Sequence, residues 1–375
     1  MDNKTLNNAV WWIPIKACRD LLRDIYYKID SLYNNVLNNN NNNLTKDYIT
    51  IYYHYFEMYN YMINNPEQFQ NDINEFKKNL DEDSITVLNE YLHKVKSLVQ
   101  SKYNSILLYN IPIESNFMSD EHKILFFSVE KIIKEIEKRY IKYDPKDIHI
   151  SIHVFYYECG LVYVPSNIKE RFKNSIAIDG GAFIGDSSIM LLEEYGFSTI
   201  HAFEPVDSTF NTFSKTISKY NLNEKIIPHK YGLSNTKSTE YIFSQENWSG
   251  SFISDKYPGN EEIKMVSLDD YIGSDKDISL IKLDIEGLEE KALRGAENII
   301  RKFKPVLLIS CYHDHVDLGQ MFKIKKYIES LNLGYKIIYR ALDPFSTMEY
   351  NLICYIAEQS RAEQSRAEQS RAEQS

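Results

Sequence analysis

Apolar residues recur along this chain at two different periods, and the change comes near residue 175. Before that point, hydrophobic side chains follow helical spacing in the stretches 15–36, 48–63, 85–99 and 120–140. The asparagine run at 38–43 cannot bury apolar area and indicates a solvated connector between two helices. The pattern predicts a helical N-terminal region over 1–110, which does no chemistry itself, and a helical lead-in over 111–174.

From residue 175 onward, short apolar runs alternate with amphipathic stretches, which is typical of repeated βαβ units. Strands are predicted at 176–178, 199–203, 225–233, 279–283, 306–310, 335–339 and 352–356. Helices are predicted at 186–195, 208–220, 288–302 and 321–331. An insertion at 236–272 adds two predicted strands, at 238–243 and 263–268. The pattern therefore predicts an α/β domain over 175–357, and the AEQSR repeats of the tail at 358–375 predict disorder.

Net charge and cysteine content limit the expected class of binding partner and the expected cellular location. The 375 residues carry a formal net charge of −10, which argues against a broad nucleic-acid-binding surface and favours a small-molecule or glycan acceptor. The four cysteines lie far apart, so they predict neither a zinc site nor a disulfide framework, and a cytoplasmic location is expected. Trp11 and Trp12, followed by basic residues, could contact the inner face of the membrane, although packing under the first helix is favoured.

The segment IAIDGGAFIGDS, which begins at Ile176, carries the strongest chemical signal. An apolar strand ends in an acid and turns through glycines into a helix, which is typical of a nucleotide-cofactor loop. Glycine has no Cβ, so it lets the backbone approach a ligand closely. The predicted cofactor-binding residues of this segment are Asp179, Gly180, Gly181, Ala182, Gly185, Asp186 and Ser187.

Glu204 and Pro205 complete the predicted cofactor site. Glu204 ends the second strand, nineteen residues after Gly185, where a carboxylate can accept hydrogen bonds from both ribose hydroxyls. The loop lacks the GxGxxG pattern that serves a pyrophosphate, and acids flank its glycines. Two carboxylates would repel a pyrophosphate by about 1 to 4 kcal/mol each but would attract the ammonium and sulfonium of S-adenosylmethionine. The predicted cofactor is therefore S-adenosylmethionine.

Two further clusters predict an acceptor side. In IKLDIEG, Asp284 and Glu286 could orient an acceptor hydroxyl while Lys282 balances their charge, and a structural salt bridge is the alternative. In CYHDH, His313 is the candidate general base, because imidazole titrates near neutral pH. The predicted catalytic residues are thus Lys282, Asp284, Glu286 and His313. A divalent metal held by Asp284, His313, His315 and Asp317 is a less favoured alternative, since the ligand spacing is not compact.

These segments resemble the FkbM-type methyltransferase family from about residue 175 to residue 356. The likeness runs through IDGGAFIGDSS, HAFEP, YGLS, VSLDDYI, IKLDIEGLEEKALRGA, KPVLLISCYH, LGYKIIYR and NLICYIA. The resemblance implies a Rossmann-like class I methyltransferase sheet of seven strands in the order 3-2-1-4-5-7-6, with the seventh strand antiparallel. It implies methyl transfer, usually to oxygen, with Asp179, Gly181, Gly185 and Glu204 on the cofactor.

The favoured hypothesis is O-methylation of a hydroxyl on a sugar or another small acceptor. The opening WWIPIKACRDLLRD is similar to the start of bacterial proteins that build surface glycans, which hints at a polysaccharide acceptor. One alternative is a non-catalytic scaffold with a methyltransferase fold. Another is an NAD-dependent sugar epimerase or dehydrogenase, which would need a Tyr-x-x-x-Lys pair that the predicted helix at 288–302 lacks.

Overall fold

The computed structural model describes residues 48–51, 55–100, 109–112, 120–243, 252–253, 261–273, 277–313, 319–343 and 349–357. The predictions for Trp11 and Trp12, for residues 15–36 and 38–43, and for the tail at 358–375 lie outside these residues. Among the helices of the described part, none has the length and apolar character needed to cross a membrane.

A seven-stranded, mostly parallel sheet forms the centre of the fold. Its strands are β1 (Ile176–Gly180), β2 (Thr199–Phe203), β3 (Ile226–His229), β4 (Ile278–Leu283), β5 (Val306–Ser310), β6 (Lys336–Ala341) and β7 (Tyr350–Tyr355). Their order is 3-2-1-4-5-7-6, and β7 runs antiparallel to both β5 and β6. The predicted Rossmann-like methyltransferase sheet is confirmed.

Helices cover both faces of this sheet. The α-helices are Tyr55–Asn64, Pro66–Lys77, Glu82–Gln100, Asp120–Arg139, Ile152–Phe155, Ser166–Lys169, Asp186–Tyr195, Asp207–Lys219, Leu268–Tyr271, Glu289–Arg294, Glu297–Phe303 and Gln320–Ser330, with 3-10 turns at Glu158–Tyr163 and Glu170–Phe172. One face packs against residues 58–95 and the helices between 289 and 330. The other face packs against residues 136–172 and the helices between 186 and 219.

The N-terminal helices share the hydrophobic core of the sheet. Helix Pro66–Lys77 buries Phe69, Ile73 and Phe76 along one face, a spacing that sequence analysis missed. Helix Glu82–Gln100 lies against the edge strand β6, where the Ser84 hydroxyl accepts a hydrogen bond from the backbone N–H of Tyr339 at 2.9 Å. Buried Lys94 donates to the Tyr350 hydroxyl at 2.9 Å. Residues 55–100 therefore support the outer strands of the sheet.

The insertion builds a second, four-stranded sheet beside the first. Its strands are Gly232–Leu233, Ser238–Phe243, Phe252–Ile253 and Glu261–Val266. The predicted strand at 225–233 is wrong as a single element, because the chain turns after His229 and pairs Gly232–Leu233 with the insertion instead. Ile242, Ile263 and Met265 bury their side chains against Val206 and Leu288.

Two other predicted elements differ from the structure. The helix predicted at 48–63 begins only at Tyr55, because Tyr48–Ile51 is a β-strand paired with Tyr109–Pro112. The helix predicted at 288–302 breaks at Gly295, where a Cβ would lie 2.1 Å from the carbonyl oxygen of Ser234. Both differences come from contacts between segments that are distant in sequence.

Candidate functional site

A cavity of about 640 Å³ opens at the carboxyl ends of the parallel strands. This is where α/β sheets of this kind bind their ligands. Six acidic residues line the cavity, namely Asp186, Glu204, Asp284, Glu286, Asp343 and Glu349. The basic side chains that line it are Lys282, His149 and His153. The cavity is therefore strongly acidic.

The glycine-rich loop lies between β1 and the helix Asp186–Tyr195, as predicted, but its glycines serve protein packing. Gly181 has a φ of +73°, and a Cβ there would lie 1.8 Å from the carbonyl oxygen of Asp284. Gly185 has a φ of +97°, and a Cβ there would lie 2.5 Å from the Phe213 ring. These glycines allow two strand ends and two helices to meet, whereas sequence analysis assigned them to close ligand approach.

Asp179 lies behind this loop and does not line the cavity. Its side chain is fully buried, and its Oδ2 accepts hydrogen bonds from the hydroxyls of Ser187 at 2.7 Å and Ser188 at 2.6 Å. Its Oδ1 lies 3.1 Å from Lys282 Nζ. That Asp179 contacts a cofactor stays a prediction, and in this structure its carboxylate anchors the loop from below. Gly180, Ala182 and Gly185 also lie outside the lining.

Glu204 follows β2 and lines the cavity, where sequence analysis expected it. Its carboxyl oxygens accept hydrogen bonds from the backbone N–H groups of Phe183 at 3.2 Å and Val206 at 3.0 Å. Burial raises the pKa of Glu204 to about 8, against the opposing effect of these two hydrogen bonds. Gly181, Asp186, Ser187 and Pro205 line the same cavity, and burial raises the pKa of Asp186 to about 6.

Lys282, Asp284 and Glu286 lie at the end of β4, and all three line the cavity. Lys282 also donates to the carbonyl oxygen of Gly181 at 2.9 Å. Burial opposes ionisation of Asp284, but the cations at Lys282 and His313 hold its pKa below the usual range. Glu286 has a left-handed backbone with a φ of 55°, and burial raises its pKa to about 7.

His313 lies beneath the cavity, enclosed by three carboxylates, and does not line it. Its Nδ1 lies 2.9 Å from Glu289 Oε1, and its Nε2 lies 3.5 Å from Asp284 Oδ1 and 3.7 Å from Glu286 Oε2. Burial alone would lower the pKa of His313, but these carboxylates raise it to about 10. An imidazolium that holds its proton at neutral pH is a poor general base, so this environment favours a buried cation over the predicted general base at His313.

Two of the predicted metal ligands, Asp284 and His313, belong to a compact group among the described residues. Asp284, Glu289 and His313 each offer a ligand atom, and these atoms lie within 4.8 Å of one another. Glu289 is fully buried, however, and already accepts hydrogen bonds from Ile285 N–H at 3.0 Å and Gln320 Nε2 at 2.9 Å. The cluster is satisfied as an ion-pair network, and His315 and Asp317 lie outside the described residues.

A group of residues at the acidic end of the cavity was not predicted from the sequence. The Tyr312 hydroxyl lies 3.2 Å from Asp284 Oδ1 and 3.1 Å from Glu349 Oε1. Glu349 precedes β7, and His149 and His153 belong to the lead-in before β1. The nearest sequence signal was Tyr312, which lies in the CYHDH segment. Glu349 and His153 carry no local pattern, since only the folded chain brings them to the strand ends.

The cavity lining is apolar, not acidic, where the insertion meets it. Val206, Ile242, Ile263, Met265 and Leu288 line it, and they form one buried apolar cluster. An acidic end and an apolar wall suit a ligand that combines a flat hydrophobic group with positive charge.

Comparison with known proteins agrees with the family suggested by the motifs. Residues 179–337 match the methyltransferase FkbM domain. Methyltransferase 1 of Beauveria bassiana is 27% identical over 150 residues, which cover 33% of this chain and 59% of that protein.

The chain is also similar to solved methyltransferase structures. The FkbM methyltransferase from Methylobacillus flagellatus KT is 23% identical with a TM-score of 0.42, covering 64% of this chain and 56% of that one. An rRNA methylase from Streptococcus thermophilus is 12% identical with a TM-score of 0.33, covering 51% and 93%. This chain thus spans less than two thirds of the length of the first two relatives. By the sequence match, residues 179–337 make up a methyltransferase FkbM domain.

Proposed function

We propose that this chain is an S-adenosylmethionine-dependent methyltransferase that methylates a hydroxyl of a sugar or another small acceptor, glycans included. The observation that carries the proposal is the cavity at the strand ends, which joins Glu204 to an acidic lining and an apolar wall. The match to a methyltransferase domain over residues 179–337 supports it.

The raised pKa values of carboxyl groups in the cavity lining favour a cationic ligand. Burial raises the pKa of Asp186 to about 6, of Glu286 to about 7 and of Glu204 to about 8. Burial opposes the ionised form of these carboxyls, so a cation that enters the cavity favours their ionisation and a phosphate anion opposes it. A ligand with an ammonium and a sulfonium compensates the negative charge of the ionised carboxyls, whereas a pyrophosphate adds to it. The lining therefore fits S-adenosylmethionine better than NAD.

Each wall of the cavity has a role in this proposal. When bound, S-adenosylmethionine supplies a methyl group made electrophilic by the adjacent positive sulfur. Glu204 accepts hydrogen bonds from the ribose hydroxyls, and the apolar wall holds the purine. Asp186 attracts the ammonium group. Gly181, Ser187 and Pro205 complete the lining on the cofactor side.

The acceptor belongs at the acidic end. Asp284, Glu286 and Glu349 offer carboxyl oxygens, and Tyr312 offers a hydroxyl between two of them. Carboxylates and hydroxyls are suited to the several hydroxyl groups of a sugar. These residues orient the acceptor, so proximity and alignment supply a large part of the rate enhancement.

Titration calorimetry with S-adenosylmethionine tests the donor assignment. The wild-type protein is expected to bind S-adenosylmethionine and not NADH, and Glu204→Gln is expected to weaken binding at least tenfold. Glu224→Gln is the matched control, because Glu224 is exposed and lies outside the cavity lining. Binding of NADH alone would support the dehydrogenase alternative and overturn the proposal.

An assay of methyl transfer tests the proposal that the protein is an enzyme. Incubation with methyl-labelled S-adenosylmethionine and surface polysaccharide from cells lacking this protein is expected to place label on the polysaccharide. Mass spectrometry then locates the methyl increment on an oxygen. Binding of the donor with no transfer to any hydroxyl acceptor would favour the scaffold alternative.

A further inference from the structure

His153 reaches the cavity from a part of the chain that lies before the matched domain. It lies on the short helix Ile152–Phe155, whose Val154 and Phe155 are buried in the core beneath the sheet. The side chain of His153 lines the cavity and is 27% exposed. The core packing of its two neighbours fixes the backbone that carries this imidazole.

Glu349 faces His153 across the acidic end of the cavity. Nε2 of His153 lies 3.7 Å from Glu349 Oε1, which is longer than a hydrogen bond and leaves this nitrogen accessible to a third group. Glu349 is itself held by the Tyr312 hydroxyl at 3.1 Å, and Tyr312 also contacts Asp284. Four side chains from separate segments therefore surround one position in the cavity.

The two histidines of the site differ in access. The side chain of His313 is only 3% exposed, and carboxylates surround both of its ring nitrogens. His153 lines the cavity, whereas His313 does not. An acceptor in the cavity can reach the imidazole of His153 but cannot reach that of His313.

We propose that His153 is the general base that takes the proton from the acceptor hydroxyl. The inference rests on the proposed function and assigns a role to a residue outside positions 179–337. The proton of the acceptor O–H passes to Nε2 of His153, and the acceptor oxygen uses its lone pair to form the new C–O bond. The electron pair of the broken C–S bond stays on sulfur, and the imidazolium later releases its proton to water.

The charges around His153 are consistent with this role. Burial lowers the pKa of His153 below its usual value, and Lys282 acts in the same direction. Asp284, Asp186 and Asp343 oppose that effect without reversing it. His149, which also lines the cavity, has a pKa lowered by burial and by His153. The imidazole of His153 is therefore neutral at pH 7 and able to accept a proton.

Chemical labelling separates the two histidines without any acceptor. Diethyl pyrocarbonate acylates neutral, accessible imidazoles, and peptide mass spectrometry reads each site. At pH 7, His153 is expected to be labelled and His313 to remain unlabelled, with exposed His93 as the internal reference. Labelling of His313 ahead of His153 would overturn the proposal.

Turnover provides the second readout. The probe is methyl-labelled S-adenosylmethionine with a pool of free and nucleotide-activated hexoses. His153→Ala is expected to slow transfer by about 10²- to 10⁴-fold, the range typical of a lost general base, with unchanged affinity for the donor. Added imidazole is expected to restore part of the rate. His153→Asn, which keeps a polar side chain, gives the same loss if the alanine variant folds poorly.

The failures of the two proposals are distinguishable. His93→Ala is the matched control and is expected to retain wild-type turnover, since His93 lies on the surface of helix Glu82–Gln100. If wild-type protein binds no S-adenosylmethionine, the proposed function fails. If wild-type protein transfers methyl groups and both His153 variants do so equally fast, the assignment of the base fails and the proposed function stands.

Discussion

Lys282 and Asp179 are register partners on the adjacent strands β4 and β1, and their charged groups lie 3.1 Å apart in the buried layer beneath the glycine-rich loop. Lys282 also donates to the carbonyl oxygen of Gly181. One lysine thus joins the end of β4 to both the anchor and the backbone of the loop. The pair supports the loop from the protein interior, and of the two residues only Lys282 lines the cavity.

Replacing Lys282 by methionine is expected to destabilise the protein by about 3 to 5 kcal/mol, because Asp179 would be left as a buried charge without its cation. Urea unfolding measures the loss. Lys219→Met is the control, since the ion pair of Lys219 with Asp147 is half-exposed at the lysine and is worth about 1 kcal/mol or less. Equal losses in the two variants would contradict the anchoring role of Asp179.

Gly181→Ala is expected to be far more damaging than Gly196→Ala. Both glycines have a positive φ, but a Cβ at Gly181 would meet the backbone oxygen of Asp284, whereas nothing lies within 4 Å of a Cβ at Gly196. The Gly196 variant bears only left-handed backbone strain, about 1 to 2 kcal/mol. The Gly181 variant is expected to lose more than about 3 kcal/mol, since a backbone atom cannot rotate away. Thermal unfolding of the pair decides whether close packing explains Gly181.

Binding of S-adenosylmethionine is expected to release protons near neutral pH. The pKa of Glu204 is raised to about 8, so below that pH this carboxyl holds a proton that it must lose to accept hydrogen bonds from a ribose. Affinity should therefore rise with pH, by up to about tenfold per unit, and level off above pH 8. Calorimetry in buffers of different ionisation enthalpy counts the protons. Unchanged proton release in Glu204→Gln would assign the effect to Asp186 and Glu286 instead.

His313 is expected to stabilise the fold in a pH-dependent way. Its pKa is raised from 6.5 to about 10, so its contribution is complete below pH 6.5 and is lost as the pH rises toward 10. His313→Gln should lower the free energy of unfolding by about 3 kcal/mol or more at pH 7.5, because buried carboxylates lose their cation. The difference from wild type should shrink between pH 7.5 and 10.

Lys94 titrates in an overlapping range but with the opposite sign. Burial lowers its pKa to about 8, so the cost of its buried charge is relieved as the pH rises above that value. The difference between wild type and His313→Gln removes this common effect. A difference that stays constant with pH would show that His313 is neutral in the folded protein.

The sheet could be predicted from sequence because each strand carries its own signal. The apolar runs at 199–203 and 306–310 gave the strands that the structure contains, and the order 3-2-1-4-5-7-6 followed from the family motifs. The break at Gly295 and the strand Tyr48–Ile51 depend on partners far away in the chain. No local pattern carries that information.

The residues of the candidate site also divide into those with a local sequence signal and those without one. The residues of the cavity lining that follow β1, β2 and β4 were found, because parallel strands bring their ends to one edge of the sheet. How deeply each side chain lies in the protein could not be predicted from the sequence. Asp179 and His313 were therefore predicted to contact a ligand, although neither lines the cavity. His153 and Glu349 were missed, since nothing in their neighbouring residues indicates that they meet.

The hydrogen bond from the Tyr339 N–H to Ser84 has a consequence for solubility. Tyr339 lies on β6, the outermost strand of the sheet, and an outer strand presents backbone donors and acceptors that can template pairing with another molecule. Ser84 occupies one such donor, and the neighbouring Arg340 occupies the Tyr339 carbonyl oxygen. Helix Glu82–Gln100 thus covers the outer edge of β6 and hinders a strand of another molecule from extending the sheet, which is the first step of aggregation.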